Sequence, residues 1–587
     1  MKNKIKTVFG LILTCVIAGF ISCQDMLEIR SNSYLETEGN LFDTPNDSLY
    51  SVVGILKQLQ QLGDRYVVLG ELRGDLMAVT ENADMDLQAI ADFSATADNP
   101  YLSTRDYYAV INNCNYFLQR VDTNVVSGGK KVLKGEYAVV KAIRDWTYLQ
   151  LALNYGKVTY ITDPILTLDD MNKNYPVLQQ QELIETLLAD ISEYIDDTIY
   201  PNYGGGLHPM LFISGPMLAG DLLLWMGAHT GNQSYYEMAA RIYYSYILNN
   251  QYCMGAGTFR NTYFNSEFDI LGLDRWNSFP GAVGEMISMI SNSISSSETL
   301  DWPRLTLLTF PQVSGRDFEY KLRPSQAAMD LWKNETYVHY NATTGALFYN
   351  KGDLRGECHH ASSSVALGSY YHYTAGGDSL PTIAKFGYLV AISGSSFSDN
   401  VKPFVNPYRI GQMYLRYAEA LNGLGKPSLA FAVLKHGLSG DVMYDSRKIN
   451  PEEITPMPPY CDFTDFRFSV LAGSQPQTGI HMRGSGYANQ DTLYYSFKEE
   501  TLQSNSAYYG FPAALATKQD SIQFVDAMIF KELALETAFE GNRFHDLMRF
   551  AVRRNDNAFL ANWVGRRNPA LTAPLMNRDK WYLPWSD

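Results

Sequence analysis

The sequence predicts a mainly α protein, a tetratricopeptide-like scaffold of stacked helix pairs carrying a large irregular, loop-rich half. Three observations predict it. Apolar residues recur at spacings of three and four over long segments, those segments pair across short turns, and the periodicity fades between residues 254 and 406.

The first pair opens at residues 104–122, where Tyr107, Ile111, Cys114, Leu118 and Val121 form one apolar stripe and Thr104 is placed to cap the helix. Residues 136–155 repeat the stripe with Val139, Ile143, Trp146, Leu149 and Leu153, and Gly156 ends it. Residues 181–195 read as a third helix. Residues 216–228 and 234–248 pair across Thr230-Gly231-Asn232, and 408–424 and 428–436 pair across Gly425-Lys426-Pro427. Small residues such as Ala239, Ala240, Ala418 and Ala420 sit where stacked helices approach closely. A last helix is expected over 521–550. Between 254 and 406, and again from about 451 to 512, Gly, Ser, Asn and aromatic residues cluster without a period. Long aperiodic runs in a compact protein are functional loops or disordered, and their aromatic content favours ordered loops. The expected organisation is a signal peptide over 1–22, a helix-pair region over 23–253, an irregular ligand-binding region over 254–406 and a C-terminal helical region over 407–587.

With 587 residues, 46% hydrophobic and 19% charged, the chain has ample material for a large core. Its net charge of −15 and the lack of any long Lys/Arg run exclude nucleic acid as a main partner. The 41 Tyr, 28 Phe and 8 Trp make an aromatic surplus, the first hint of function.

Lys2, Lys4 and Lys6 precede an apolar run over 8–21 that is too short for a comfortable membrane span. It stops at Ser22-Cys23, a small residue before a cysteine, which predicts lipoprotein cleavage and acylation of Cys23; Phe20 stands where such signals usually have Leu. Cleavage removes three of the 47 cations, leaving 44 against 62 anions, a net charge of −18. No later stretch of about 18 apolar residues is expected, so lipid alone would hold an otherwise soluble protein. Cys114, Cys253, Cys358 and Cys461 are widely spaced with no CxxC pair, which indicates neither a zinc site nor a disulfide framework and leaves a single bridge open.

The most specific string is Lys531-Glu532, Glu536, Phe539-Glu540-Gly541, Arg543-Phe544, Asp546-Leu547 and Arg549. Glu532, Glu536 and Glu540 recur at i+4, and Arg543, Asp546 and Arg549 continue at i+3, the pattern of a salt-bridged structural face. This string resembles the last helix of the SusD/RagB family of outer-membrane nutrient-uptake lipoproteins, with a pattern like E-R-x-x-E-L-x-x-E-G-x-R-W-x-D-L-x-R. Leu533, Thr537 and Phe544 replace that pattern's Arg, Leu and Trp. Other points resemble the same family in order: Ser22-Cys23-Gln24-Asp25, Ile111-Asn112-Asn113, Ala142-Ile143-Arg144-Asp145-Trp146 with Tyr155-Gly156, Tyr414-Leu415-Arg416-Tyr417-Ala418-Glu419-Ala420, and Trp581-Tyr582-Leu583-Pro584 as a closing strand.

The resemblance implies a non-enzymatic binding protein without a cofactor, in which about eight tetratricopeptide-type helices support an irregular ligand-binding half. It also implies a lipid-held protein seated on a SusC-like TonB-dependent transporter barrel, capturing oligosaccharides or, in some members, peptides. Sugar rings stack their C–H faces on aromatic side chains while Asn, Asp and Arg bond the hydroxyls. Trp276 and Trp302, in aperiodic segments, are therefore candidate platforms. Arg73, Asp98, Asn99 and Tyr101 flank the entry to the first repeat helix, a region that contributes to the ligand site in relatives. Tyr370, Tyr371 and Tyr373 read as packing or partner contact.

Enzyme and metal signals are thin. Gly377-Asp378-Ser379-Leu380 spells an esterase nucleophile block but lacks the Asp-x-x-His that should follow. Cys358-His359-His360 has no companion ligands at helical spacing, and Asn82, Asp84 and Asp86 are followed by Leu87 where a calcium loop needs Gly. The rival readings are oligopeptide capture and an all-helical surface glycoside hydrolase, which needs two carboxylates about 5 to 10 Å apart in a cleft.

Overall fold

The computed structural model describes residues 45–127, 130–131, 133–195, 209–250, 286–291, 304–311, 318–341, 344, 346–357, 368–375, 378–386, 404–464, 479–484, 515 and 517–585. Helices α1 (Pro45–Gln60) and α2 (Gly63–Glu71) come first, followed by α3 (Met85–Ala91), whose N-terminal Leu87 N–H donates to Asp84 at 3.0 Å. The expected hairpin is α4 (Arg105–Arg120) against α5 (Lys134–Tyr155). Thr104 makes no side-chain cap, contrary to expectation, because its own backbone is helical at φ −79°, ψ −13° and a capping residue needs an extended one. Gly156 ends α5 at φ +75° with Tyr582 against it, so near that a Cβ would lie 2.9 Å from the ring.

The chain continues through α6 (Leu168–Met171), α7 (Gln180–Ile191), α8 (Gly215–Thr230) and α9 (Gln233–Asn250). Next come α10 (Arg304–Thr309), α11 (Gln326–Lys333), α12 (Ile410–Gly423), α13 (Pro427–Lys435), α14 (Gly440–Met443) and α15 (Pro451–Ile454). The last four are α16 (Lys518–Thr537), α17 (Arg543–Arg554), α18 (Asn557–Gly565) and α19 (Thr572–Leu575). Helices α4, α5, α7, α8, α9 and α12 pack each on the next, and α12 also packs on α13 and α16, which is the stacked-pair scaffold. One apolar core runs from Val52 to Leu583 and includes the Cys114 and Cys461 thiols, both free. The segment Pro209–Thr230 corrects the expectation of no further apolar stretch: it is long and apolar enough to cross a membrane, yet it is mostly buried inside the protein. It is the central helix of the stack.

Two further expectations are corrected. The run 521–550 is two helices, α16 and α17, broken where Phe539 and Gly541 adopt φ of +67° and +92°. Glu71 of α2 causes the break. Its buried carboxylate accepts the N–H groups of Phe539, Gly541, Asn542 and Arg543 at 3.0, 2.8, 3.1 and 3.3 Å, replacing the carbonyl acceptors a continuous helix would supply. Burial nevertheless pushes Glu71 up to about 7, against those donors. The second correction is at the C-terminus, where Trp581 closes a 3-10 turn (Arg578–Trp581) and Leu583 N–H reaches Asn154 O at 2.9 Å, with no strand partner among the described residues.

Within 254–406 the described residues form antiparallel two-stranded pairs: Thr336–Asn341 with Ala346–Lys351, Tyr370–Ala375 with Asp378–Ile383, and Met286–Ser291 with Phe404–Arg409. Their Tyr, Val, Ile and Thr residues suit a pleated surface. Tyr370 packs on Trp332 with ring centroids 5.7 Å apart, and Tyr371 packs on Phe310.

Candidate functional site

The motif of α16 and α17 builds the interior of the protein. Glu532 meets Arg355 and the His481 ring at 2.5 and 2.8 Å; Glu536 meets Arg409, Arg355 and Arg483 at 2.9, 3.0 and 3.1 Å; Glu540 meets Lys385 and Arg409 at 2.5 and 2.6 Å. Asp353 completes the group by pairing with Arg355 at 2.6 Å and accepting from Tyr337 at 2.7 Å. All of these side chains are buried, and four carboxylates face three guanidinium groups and one ammonium, so the charges compensate. Gly411 leaves room for the crossing: a Cβ there would lie 2.5 Å from Arg409 Nη1 and 2.6 Å from Glu536 Oε1.

A second network ties α17 to α12 through Arg416 to Asp546 at 2.5 Å, Arg549 to Glu419 at 2.8 Å and Arg549 to Asp546 at 3.0 Å. Arg543 instead leaves its helix and clamps Asp75 at 2.6 Å. Burial alone would raise Glu419 and Glu536, yet their arginine partners outweigh it and hold both carboxyl groups at about 2. Their folded pKa values lie below an ordinary 4.5, so the stability they supply is complete above pH 4.5 and lost as pH falls toward 2, about 3 kcal/mol each. Glu71 acts oppositely between pH 4.5 and 7, where it keeps its proton only in the folded state. Thermal melts should therefore collapse steeply below pH 4.5. A profile flat from pH 5 to 2.5 would contradict this assignment.

Arg73, a candidate ligand contact by sequence, is fully buried. It donates to Leu69 O at 2.9 Å, Trp581 O at 3.0 Å and Asn154 Oδ1, and lies 4.3 Å from the Phe544 ring centroid. It therefore joins α2, α5, α17 and the C-terminal turn behind the surface. Asn99 is also buried; its amide donates to Asp86 O at 2.9 Å and its carbonyl accepts the Tyr101 N–H at 3.0 Å, which fixes the 3-10 turn Pro100–Leu102. That turn presents Tyr101, half-buried, with Asp98 exposed just ahead of it and accepting from Thr96.

The Arg304 guanidinium at the start of α10, a neighbour that periodicity does not reveal, stands near enough to the Tyr101 hydroxyl to oppose the rise in its pKa that burial causes. Arg304 pairs with Glu319, Glu319 with Lys321 at 2.5 Å and Lys321 with Asp84 at 2.9 Å. Burial raises Asp64 in α2 to about 6, opposed by the Leu305 N–H and Arg304. The result is a partly exposed row of alternating acceptors and donors beside an aromatic ring, which suits a polyhydroxylated ligand. Trp302 precedes Arg304 by two residues in the sequence; Trp302, Trp276 and Cys23 all lie outside the described residues.

Chemistry elsewhere is weaker. Ser379 Oγ approaches His372 Nδ1 at 3.1 Å, and Glu357 lies 4.0 Å from the other ring nitrogen, but the Ser–His contact is exposed on a two-stranded hairpin. A nucleophile needs a desolvated base and oxyanion donors, and this pair reads as a cross-strand contact. Asp84 is engaged by Lys321 and the Leu87 N–H, and among the described residues no group of three His, Cys, Asp or Glu is arranged to hold a metal. Cys358, His359 and His360 lie outside them.

No family model matches the sequence, and no curated protein matches it. Solved structures do. A SusD superfamily protein from Bacteroides thetaiotaomicron VPI-5482 superposes with TM-score 0.52 at 17% identity, covering 93% of this chain and 95% of its own. One from Parabacteroides distasonis ATCC 8503 gives 0.51 at 16% over 86% and 88%, and NanU of B. fragilis gives 0.50 at 16% over 92% and 94%. With its stacked helix pairs locked by the α16–α17 ion network, the chain has the SusD-superfamily fold.

Proposed function

We propose that the chain is a lipid-anchored cell-surface binding protein that captures oligosaccharides and delivers them to a SusC-like TonB-dependent transporter of the outer membrane. The observation that carries this reading is the Tyr101 patch, an aromatic ring beside alternating donors and acceptors, set on a scaffold of SusD type. In this reading Asp98, Tyr101 and Arg304 contact the sugar, Trp276 and Trp302 supply stacking faces, and Arg73 and Asn99 hold the surface from behind. Binding without turnover fits a site that offers hydroxyl complementarity and, among the described residues, no activated nucleophile. Calorimetric titration of the purified protein against neutral glycan and peptide panels tests it: glycan binding without hydrolysis is expected, and peptide binding alone or steady glycan turnover would overturn it.

Attachment rests on Cys23. Cys23→Ala is expected to release folded protein from the outer membrane, because acylation there is the anchor the sequence offers. Fractionation of cells lacking the transporter checks it; a variant still held tightly by membranes would place the anchor elsewhere.

A further inference from the structure

The geometry points to a second ligand site, for an anionic sugar residue, in the groove where the α12–α13 turn, residues 446–453 and the start of α16 meet. It rests on the reading that this protein binds glycans. The groove encloses about 520 Å³, within the span of small-ligand pockets, and is lined by Lys426, Arg447, Lys448 and Lys518 against Glu452 and Glu453. Four cations around one groove stand out in a chain whose net charge is −15.

Two of the nearby acids are already engaged, while Glu452 stands exposed on the lining. Glu453, buried, accepts the Ser428 and Leu429 N–H groups at 3.0 and 3.1 Å and so caps α13, while Asp445 pairs with Arg447 at 2.8 Å. The helix ends around the groove are occupied too, since Asn450 caps α15 and Thr517 with Asp520 forms the capping box of α16. Arg447 and Lys448 share Asp445, at 2.8 and 3.8 Å, so attraction for an anion comes chiefly from Lys426 and Lys518. Lys426 donates to Glu453 O at 2.8 Å, which holds it at the rim. Lys518 is exposed and forms no ion pair among the described residues. Its ammonium lies over Gly425, at φ +70°, where a Cβ would sit 3.2 Å from Nζ; the glycine lets that charge approach the turn beside Lys426.

A bare inorganic ion would leave most of this groove unfilled. Pro427 and Pro451 offer C–H faces, and Ser446, Asn450 and Ser521 line it with hydroxyl and amide groups, so carboxylate, ring and hydroxyls of an acidic sugar each find a counterpart.

The test titrates the mature protein calorimetrically with digalacturonate, with neutral digalactose and with sodium sulfate. Digalacturonate is expected to bind at least about tenfold more tightly than either, and Lys518→Glu to weaken it about tenfold with an unchanged thermal melt. Lys333→Ala, exposed at the end of α11 and outside both sites, should leave digalacturonate affinity unchanged. No digalacturonate binding, equal affinity for digalactose or sulfate, or indifference to Lys518→Glu would each overturn the proposal. Neutral glycans bound in the Tyr101 patch while digalacturonate fails would sink this site alone, whereas digalacturonate held through Lys518 with no neutral glycan bound at all would instead sink the function assigned to that patch.

Discussion

Glu536→Ala is expected to lower the melting temperature by roughly 3 to 4 °C or to abolish soluble expression. The carboxylate is fully buried and is shared by Arg355, Arg409 and Arg483. Removing it strands positive charge where water cannot reach, and breaking such a buried pair from one side costs about 3 to 5 kcal/mol, a large part of a domain's net stability. Glu536→Gln should fall between the two, because it keeps the shape and some of the hydrogen bonds but loses the charge. Melts of the two variants beside the wild type check this order. A wild-type melt for Glu536→Ala would mean that the guanidinium groups are satisfied without it.

Arg543→Ala is the second large effect. Arg543 bonds Asp75 through Nε at 2.6 Å and Nη2 at 3.1 Å, and its guanidinium lies 4.2 Å from the Phe530 ring centroid. The ring contact is worth about 1 to 2 kcal/mol at most, so the dominant loss is the buried Asp75 carboxylate left without its partner, about 3 kcal/mol or more. Because Asp75 follows α2 and Arg543 opens α17, the variant also loosens the joint that Glu71 makes with the same loop. Melting temperature and yield should fall while the folded fraction binds glycan normally. Lost binding at an unchanged melting temperature would move this motif into the ligand site.

What the sequence shows and what it hides divide along contact range. The pairs α4–α5, α8–α9 and α12–α13 are legible because each writes its own apolar stripe and its own turn, and their ends lie within a few residues of expectation. The break between α16 and α17 is not legible: the i+4 spacing of Glu532, Glu536 and Glu540 runs straight through it, and the carboxylate that ends α16 stands 470 positions away. The same holds for the glutamates' partners: Arg355, Lys385 and Arg483 come from segments with no helical period, and Arg409, expected within a helix over 408–424, ends the strand Phe404–Arg409 instead. Arg73 illustrates the converse. A cation beside a candidate ligand turn looks like a contact in one dimension, and only burial against Trp581 and Asn154 makes it a core residue. The Tyr101 patch was half visible, since Asp98, Asn99 and Tyr101 are neighbours in sequence, whereas Lys321 reaches Asp84 across 237 positions.

The most direct test of the central claim, that this scaffold presents a glycan-binding surface around Tyr101, is calorimetric titration of a bound neutral oligosaccharide against Arg304→Ala and Trp302→Ala, each checked by thermal melting. Arg304 is partly exposed and its loss should cost little stability, while one alternating donor leaves the patch. Trp302→Ala removes a stacking face, worth roughly 1 kcal/mol or more of binding. Affinity reduced about fivefold or more in both variants at wild-type melting temperatures is the predicted result; unchanged affinity in both would contradict the claim and place the ligand on another face.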